Sequence, residues 1–161
     1  PWRIQSARGA TLRLLGNHTP ADQPERIART ANPVAFDLSE LEAMITPKTR
    51  IVAVSHVQFT SGFAVDLQKL GAICRAHDVH LVVDAAQSLG CLPIDPAAWG
   101  IDAIASAGWK WLLGPIGTGL LYTTPAFREK IAHTMAGADI VTQGENYLDH
   151  TWQPHTDARR F

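Results

Sequence analysis

The sequence predicts an α/β fold, a mostly parallel sheet with helices on both faces, and three observations carry that prediction. Short β-branched apolar runs, Arg50-Ile-Val-Ala-Val-Ser-His56, Leu81-Val-Val-Asp84 and Ile101-Asp-Ala-Ile-Ala105, have the length of strands and the continuous hydrophobicity of strands buried on both sides. Amphipathic segments with helix caps lie between such runs, and strands alternating with helices form parallel sheets through crossover connections. Two of the runs end in polar residues, Ser55-His56 and Asp84, at the strand ends where open α/β sheets bind ligands.

Taken in order, residues 1–10 have mixed polarity and read as a helix end, and Thr11-Leu-Arg-Leu-Leu15 alternates enough for a short strand closed by Gly16-Asn17. His18 to Ala35 hold three prolines and several charges and read as loop. Asp37 is a helix N-cap with Glu40 at the capping-box position, and Leu38, Leu41 and Ile45 share a face, so a short helix ends before Pro47. The run from Arg50 to His56 reads as a central parallel strand, with Val57 to Gly62 as the loop at its ligand end. Asp66 caps a helix whose Leu67, Leu70, Ile73 and Cys74 share a face, and the strand Leu81–Asp84 completes a βαβ unit. Pro93-Ile-Asp-Pro96 is a turn, Ile101–Ala105 and Thr118–Tyr122 are the next strands, and Thr124-Pro125 opens a helix. Beyond Gly137 the chain is polar and no element is predicted.

A length of 161 residues suits one domain, and 46% hydrophobic with 18% charged residues is ordinary globular composition. With 14 Lys+Arg against 15 Asp+Glu there is no broad basic face for a phosphate backbone, so nucleic acid is not an expected partner. Cys74 and Cys91 form no C-x-x-C pair, which fits a reducing, cytoplasmic setting. No apolar run reaches the roughly eighteen residues of a spanning helix, and no basic-then-apolar leader opens the chain, so no membrane is expected. His77, Asp78 and His80 match no zinc spacing, and no metal is expected.

The chemistry concentrates between Val82 and Tyr122. Lys110 lies between Trp109 and Trp111, just before a Gly-Pro turn. A lysine held in apolar surroundings loses proton affinity, and its free amine then attacks carbonyl carbon, so Lys110 is a candidate Schiff-base lysine. It also reads as a surface lysine whose stem lies along aromatic rings. Asp84 is either a ligand-binding carboxylate or a cap on the local turn, and Gln87, on the same turn, is either a ligand contact or a loop amide facing solvent. His56 reads as a satisfied structural residue at a strand end. The stretch Gly114-Pro-Ile-Gly117-Thr-Gly119 lacks the Gly-Lys-Ser/Thr ending of a nucleotide loop and precedes a strand, which argues against a nucleotide-binding domain.

Asp84-Ala-Ala-Gln87, Gly90, Pro93-Ile94-Asp95, Asp102, Lys110-Trp-Leu-Leu-Gly-Pro115 and Gly117-Thr-Gly-Leu-Leu-Tyr122, in this order and at these spacings, resemble the class V aminotransferase family of fold-type I pyridoxal phosphate enzymes. That family includes cysteine desulfurases, selenocysteine lyases, kynureninases and isopenicillin N epimerase-like proteins. The resemblance implies pyridoxal 5'-phosphate as cofactor, Lys110 as the residue that binds it and moves the substrate α-proton, and Asp84 as the partner of the pyridine nitrogen. It also implies Gln87 near the phenolic oxygen, Gln58 where many relatives carry a contacting asparagine, and Ser106 as a hydroxyl near the phosphate. Cysteine desulfurases place a serine and a histidine just before the lysine; Ala107 and Trp109 stand there instead, which counts against desulfurase-type chemistry and leaves the Schiff base intact. An amino-acid substrate, a homodimer and a partial large domain, starting after the early cofactor loop and stopping before the small domain, are further implications. The alternatives are C–S or C–Se bond cleavage and a non-catalytic α/β interaction module.

Overall fold

Four short apolar strands can bury their side chains only by sharing one core, and the register of their pairing shows how they do so. The computed structural model describes residues 2–16, 35–133 and 136–161. Its elements are α1 (Leu38–Met44), β1 (Ile51–Ser55), α2 (Leu67–Ala76), β2 (His80–Asp84), α3 (Pro96–Trp99), β3 (Ala103–Ala107), β4 (Gly119–Thr123) and α4 (Pro125–Lys130), with 3-10 turns at Trp2–Arg8, Ala138–Ile140 and Ala158–Arg160. The sheet order is β1-β2-β3-β4; β1, β2 and β3 are parallel and β4 runs antiparallel to β3. The α/β class and the mostly parallel sheet are as the sequence predicts.

Side chains alternate along a strand, and paired residues share a face. Pairing of Val52 with Leu81, Val54 with Val83, Val83 with Ile104 and Ile104 with Tyr122 therefore puts these residues on one face. All belong to the core or pack against it, together with Leu67, Leu70 and Cys74 of α2. The helix forms where expected: the Asp66 carboxylate accepts the Lys69 N–H at 3.0 Å, and the apolar spacing of α2 turns one stripe to the sheet. Asp37 likewise caps α1 through the Ser39 N–H at 2.8 Å.

The opposite face carries α4, so helices flank both sides of the sheet, but it is the more open of the two. Ile51, Ala53, Val82, Ala105 and Leu121 lie there, and Ile51 and Leu121 are 42% and 54% exposed. α4 covers part of this face through Phe127, whose ring sits 4.8 Å from that of His80.

Four local expectations change. Thr11–Leu15 pairs with no described strand; of these residues Leu15 packs against the core, and an apolar alternation makes a strand only when a neighbour supplies the ladder. β1 is an edge strand among the described residues rather than a central one. The third strand begins at Ala103 rather than Ile101, because the Asp102 carboxylate takes the Leu81 N–H at 2.9 Å in place of a ladder carbonyl. The turn expected at Pro93–Pro96 runs into α3, which Asp95 caps through the Ala98 N–H and which Gly100 ends in the left-handed region. The loop expected from His18 lies outside the described residues, apart from Ala35.

Leu81 is fully buried where β2 meets α2. Leu81→Ala is expected to cost about 2–5 kcal/mol through lost burial and the cavity left behind, read as a lowered urea midpoint with an unchanged slope; a change below about 1 kcal/mol would contradict this core.

Candidate functional site

Because β1, β2 and β3 are parallel, their C-terminal ends form one edge, and the three loops leaving that edge carry most of the singled-out residues. After β1 the chain makes a tight excursion: Gln58 N–H donates to Phe63 O at 2.9 Å, Gly62 N–H donates to Gln58 O at 2.8 Å, and Val57 bridges Ala64. After β2 the loop starts with an Asx turn in which Asp84 Oδ1 accepts the Ala86 N–H at 2.9 Å. After β3 the lysine loop is closed by Gly108 N–H to Thr118 O at 2.9 Å, Gly114 N–H to Gly108 O at 2.8 Å and the Thr118 hydroxyl to Pro115 O at 2.7 Å.

Glycine holds the second and third loops together. A β-carbon on Gly90 would lie 2.6 Å from the Trp111 carbonyl oxygen, and one on Gly108 would lie 2.3 Å from Thr118 Oγ1. Gly90 also has φ +101°, where residues with a side chain are strained. The turn that carries Asp84 and Gln87 thus abuts the backbone one residue beyond Lys110.

Lys110 is half-buried, with Nζ 5.2 Å from the centre of the Trp109 ring and 5.8 Å from that of Phe59. Among the described residues it makes no ion pair. Trp109 and Trp111 are 50% and 54% exposed, so the tryptophans flank the lysine without sealing it from water, which departs from the apolar setting expected. The rings attract an ammonium through their quadrupoles, by about 0.5–1 kcal/mol for an exposed contact. Phe59 escaped the sequence reading; its signal was an aromatic side chain beside Gln58 in a loop at the ligand end of a strand.

Asp84 takes the turn-capping role with one of its two carboxylate oxygens. Oδ1 caps the turn, while Oδ2 has no hydrogen-bond partner in the described chain. Asp84 also borders an open depression of about 500 Å³ lined by Ala105, Ser106, Ala107, Gly119, Leu120 and Leu121. Gln87 is half-buried and its side-chain amide makes no hydrogen bond among the described residues. Gln58 is half-buried in the first loop, next to the ring that flanks Lys110. Ser106 is buried, and its hydroxyl is engaged with the carbonyls of Ala85 at 3.4 Å and Ala107 at 3.3 Å. Gln58, Asp84, Gln87 and Lys110 thus lie on three loops at one edge of the sheet, whereas the Ser106 hydroxyl is turned to the backbone.

His56, the residue after β1, is buried. Its N–H donates to Asp84 O at 2.9 Å and its carbonyl accepts the Val65 N–H at 2.8 Å, while Nδ1 is buried without a partner. Burial pushes its pKa below 6.5, because the charged ring loses hydration. Among the described residues no group of three metal-ligating side chains occurs, and no helix is long and apolar enough to cross a membrane.

The model of the family described as aminotransferase class-V matches residues 26–159. The chain belongs to this family. Among class-V relatives it is 39% identical over 125 residues to the cysteine desulfurase IscS of Mannheimia succiniciproducens, a match covering 69% of this chain and 31% of that protein. The apo structure of a cysteine desulfurase from Thermococcus onnurineus NA1 superimposes with a TM-score of 0.77 at 25% identity, covering 99% of this chain and 36% of the other. A C-DES mutant with glycine covalently linked to its PLP cofactor gives a TM-score of 0.70 at 31% identity, covering 76% of this chain and 32% of that one. The chain thus spans about a third of the length of the class-V relatives it matches.

The depressed pKa of His56 links stability to pH. The unfolded chain takes up a proton near pH 6.5 and the folded chain only below that, so the contribution of the neutral ring is present above 6.5 and is lost as pH falls through the folded value. Urea midpoints should drop between about pH 7.5 and about pH 5.5, and His56→Gln should flatten that decline; an equal decline in the variant would assign the effect to other groups.

Proposed function

We propose that this chain is the cofactor-binding part of a pyridoxal phosphate-dependent enzyme that acts on an amino acid, with Lys110 as its catalytic residue. The observation that carries the reading is the meeting, across Gly90 and Trp111, of the turn that bears Asp84 and Gln87 with the loop that bears Lys110. Membership of the class-V family supports it, as does the structural neighbour in which glycine is covalently linked to a PLP cofactor.

The donor set fits such a group. Among the described residues Asp84 Oδ2 is open to accept an N–H from a ring nitrogen, the Gln87 amide is unused, and Lys110 is in no ion pair. Bound, pyridoxal phosphate withdraws electrons from the substrate α-carbon. Asp84 would keep the ring nitrogen protonated, since its negative charge favours the N–H form. Gln87 would hydrogen-bond the phenolic oxygen, and Gln58 would contact cofactor or substrate from the neighbouring loop. Lys110 would hold the cofactor covalently through its amine and, once the substrate amine had replaced it, take and return the α-proton. Ser106 would reach a phosphate only after its hydroxyl left the Ala85 carbonyl.

The names of the relatives favour a second reading, removal of sulfur from a cysteine-like substrate. Ala107 and Trp109 offer neither hydroxyl nor imidazole, which leaves the general amino-acid reading ahead. A second copy of the chain is the proposed partner, since Leu113 and Ile116 in the lysine loop stand fully out to solvent and would be covered by one. The two free thiols suit a reducing, cytoplasmic setting.

Borohydride reduction of the whole protein after incubation with pyridoxal phosphate should place the pyridoxyl group on Lys110 in a peptide map; a label on another lysine in its place would overturn the assignment. Asp84→Asn should retain the cofactor absorbance band yet lose turnover by on the order of a hundredfold or more, because an amide cannot hold the ring nitrogen charged. Turnover at the wild-type rate would reduce Asp84 to a turn cap.

A further inference from the structure

A second group of titratable side chains lies at the opposite end of β2 from Asp84, where α4 packs on the otherwise open face. His80 Nδ1 is 3.1 Å from Asp102 Oδ1, and the other carboxylate oxygen accepts the Leu81 N–H at 2.9 Å. Lys130, the last residue of α4, brings Nζ to 3.2 Å from His80 Nε2. The Phe127 ring lies 4.8 Å from the imidazole, inclined at 56°, and limits its rotation. An ionised carboxylate only accepts hydrogen bonds, so the neutral imidazole carries its proton on Nδ1 and turns the lone pair of Nε2 to the lysine. The side chains of His80 and Asp102 are 26% and 23% exposed, whereas Lys130 is open to solvent. An amine within hydrogen-bond reach of a base, and the base oriented by a third group, is the arrangement of an activated nucleophile.

We propose that Lys130 is an acylation site whose amine takes an acyl group from an activated thioester, with His80 as the base and Asp102 as the residue that positions it. An amine beside a base forms its bond to an electrophilic carbon that bears a leaving group. The Lys130 ammonium first gives one proton to water; the neutral amine then attacks the thioester carbonyl, the C–N bond forms, and Nε2 accepts the second proton released from nitrogen. The C–S bond then breaks, the sulfur leaves as thiolate, and it recovers that proton from the imidazolium to depart as thiol. No oxidant or further reactant is needed. The product amide has lost the positive charge of Lys130, and with it the charge-assisted bond from α4 to β2.

The test is acylation of the folded protein by a small thioester, with peptide mass spectrometry timing each lysine. Lys48, exposed in the turn before β1, serves as the internal reference. A positioned base typically gives at least about a hundredfold, so Lys130 should acylate on the order of a hundredfold faster than Lys48. His80→Gln keeps a polar side chain for Asp102 but removes the base, and should bring Lys130 to the Lys48 rate without altering Lys48. If that variant fails to fold, the wild-type chain in concentrated urea provides the same comparison, since the advantage must vanish with the geometry. Equal rates at Lys130 and Lys48 in the folded protein would overturn the proposal, as would an advantage that survives unfolding.

Discussion

The contact on which the site depends is an absence of atoms: Gly90 has no side chain where the Trp111 carbonyl passes. Hydrogen bonds close each loop individually, but close backbone approach fixes the acid-bearing turn against the lysine loop. Closed packing of this kind has no compliant partner, because the clashing atom is backbone and not the tip of a flexible side chain. A constellation that must be held to about half an ångström is better served by such a stop than by a long side chain.

Asp102 provides a comparable constraint for the sheet. Its N–H donates to Leu81 O and its carboxylate accepts from Leu81 N–H, each at 2.9 Å, so one residue clamps β2 to the start of β3. Strand register has period two, and a slip of one residue would send Leu81 and Val83 to the open face and turn Asp84 into the core. The same clamp therefore secures the buried leucine and the exposed carboxylate. Its carbonyl also accepts the Thr124 N–H at 2.9 Å, at the residue that caps α4.

Local chemistry made much of this legible. Asp37 and Asp66 were readable as caps because the signal and its effect lie within three residues, and the β1-α2-β2 unit followed from apolar spacing. Asp84, Gln87 and Lys110 stood out by order and spacing. What escaped depends on distant partners. Thr11–Leu15 alternates like a strand, yet no described neighbour supplies its ladder; the β-branched run of β1 carries no mark of whether it will lie at an edge; and neither the Phe59–Lys110 contact nor the His80–Lys130 contact has any local signature. The Ser106 hydroxyl is shared between its neighbour Ala107 and the carbonyl of Ala85, just past the end of β2, and that second partner is distant in sequence. In α3 the signal was present, an aspartate before a proline, but four residues are hard to tell from a turn.

β4 returns antiparallel to β3, so the segment that bears Lys110 is a hairpin connection and not a crossover. Both of its ends are joined at the base, Gly108 to Thr118, before the chain enters the strands. Residues such as Leu113 and Ile116 can then be exchanged, added or removed without disturbing strand order, because the sheet below is already closed. A lineage built on this scaffold is free to remodel what surrounds the amine while the amine keeps its place, and divergence among its members should be written first in the tip of that hairpin.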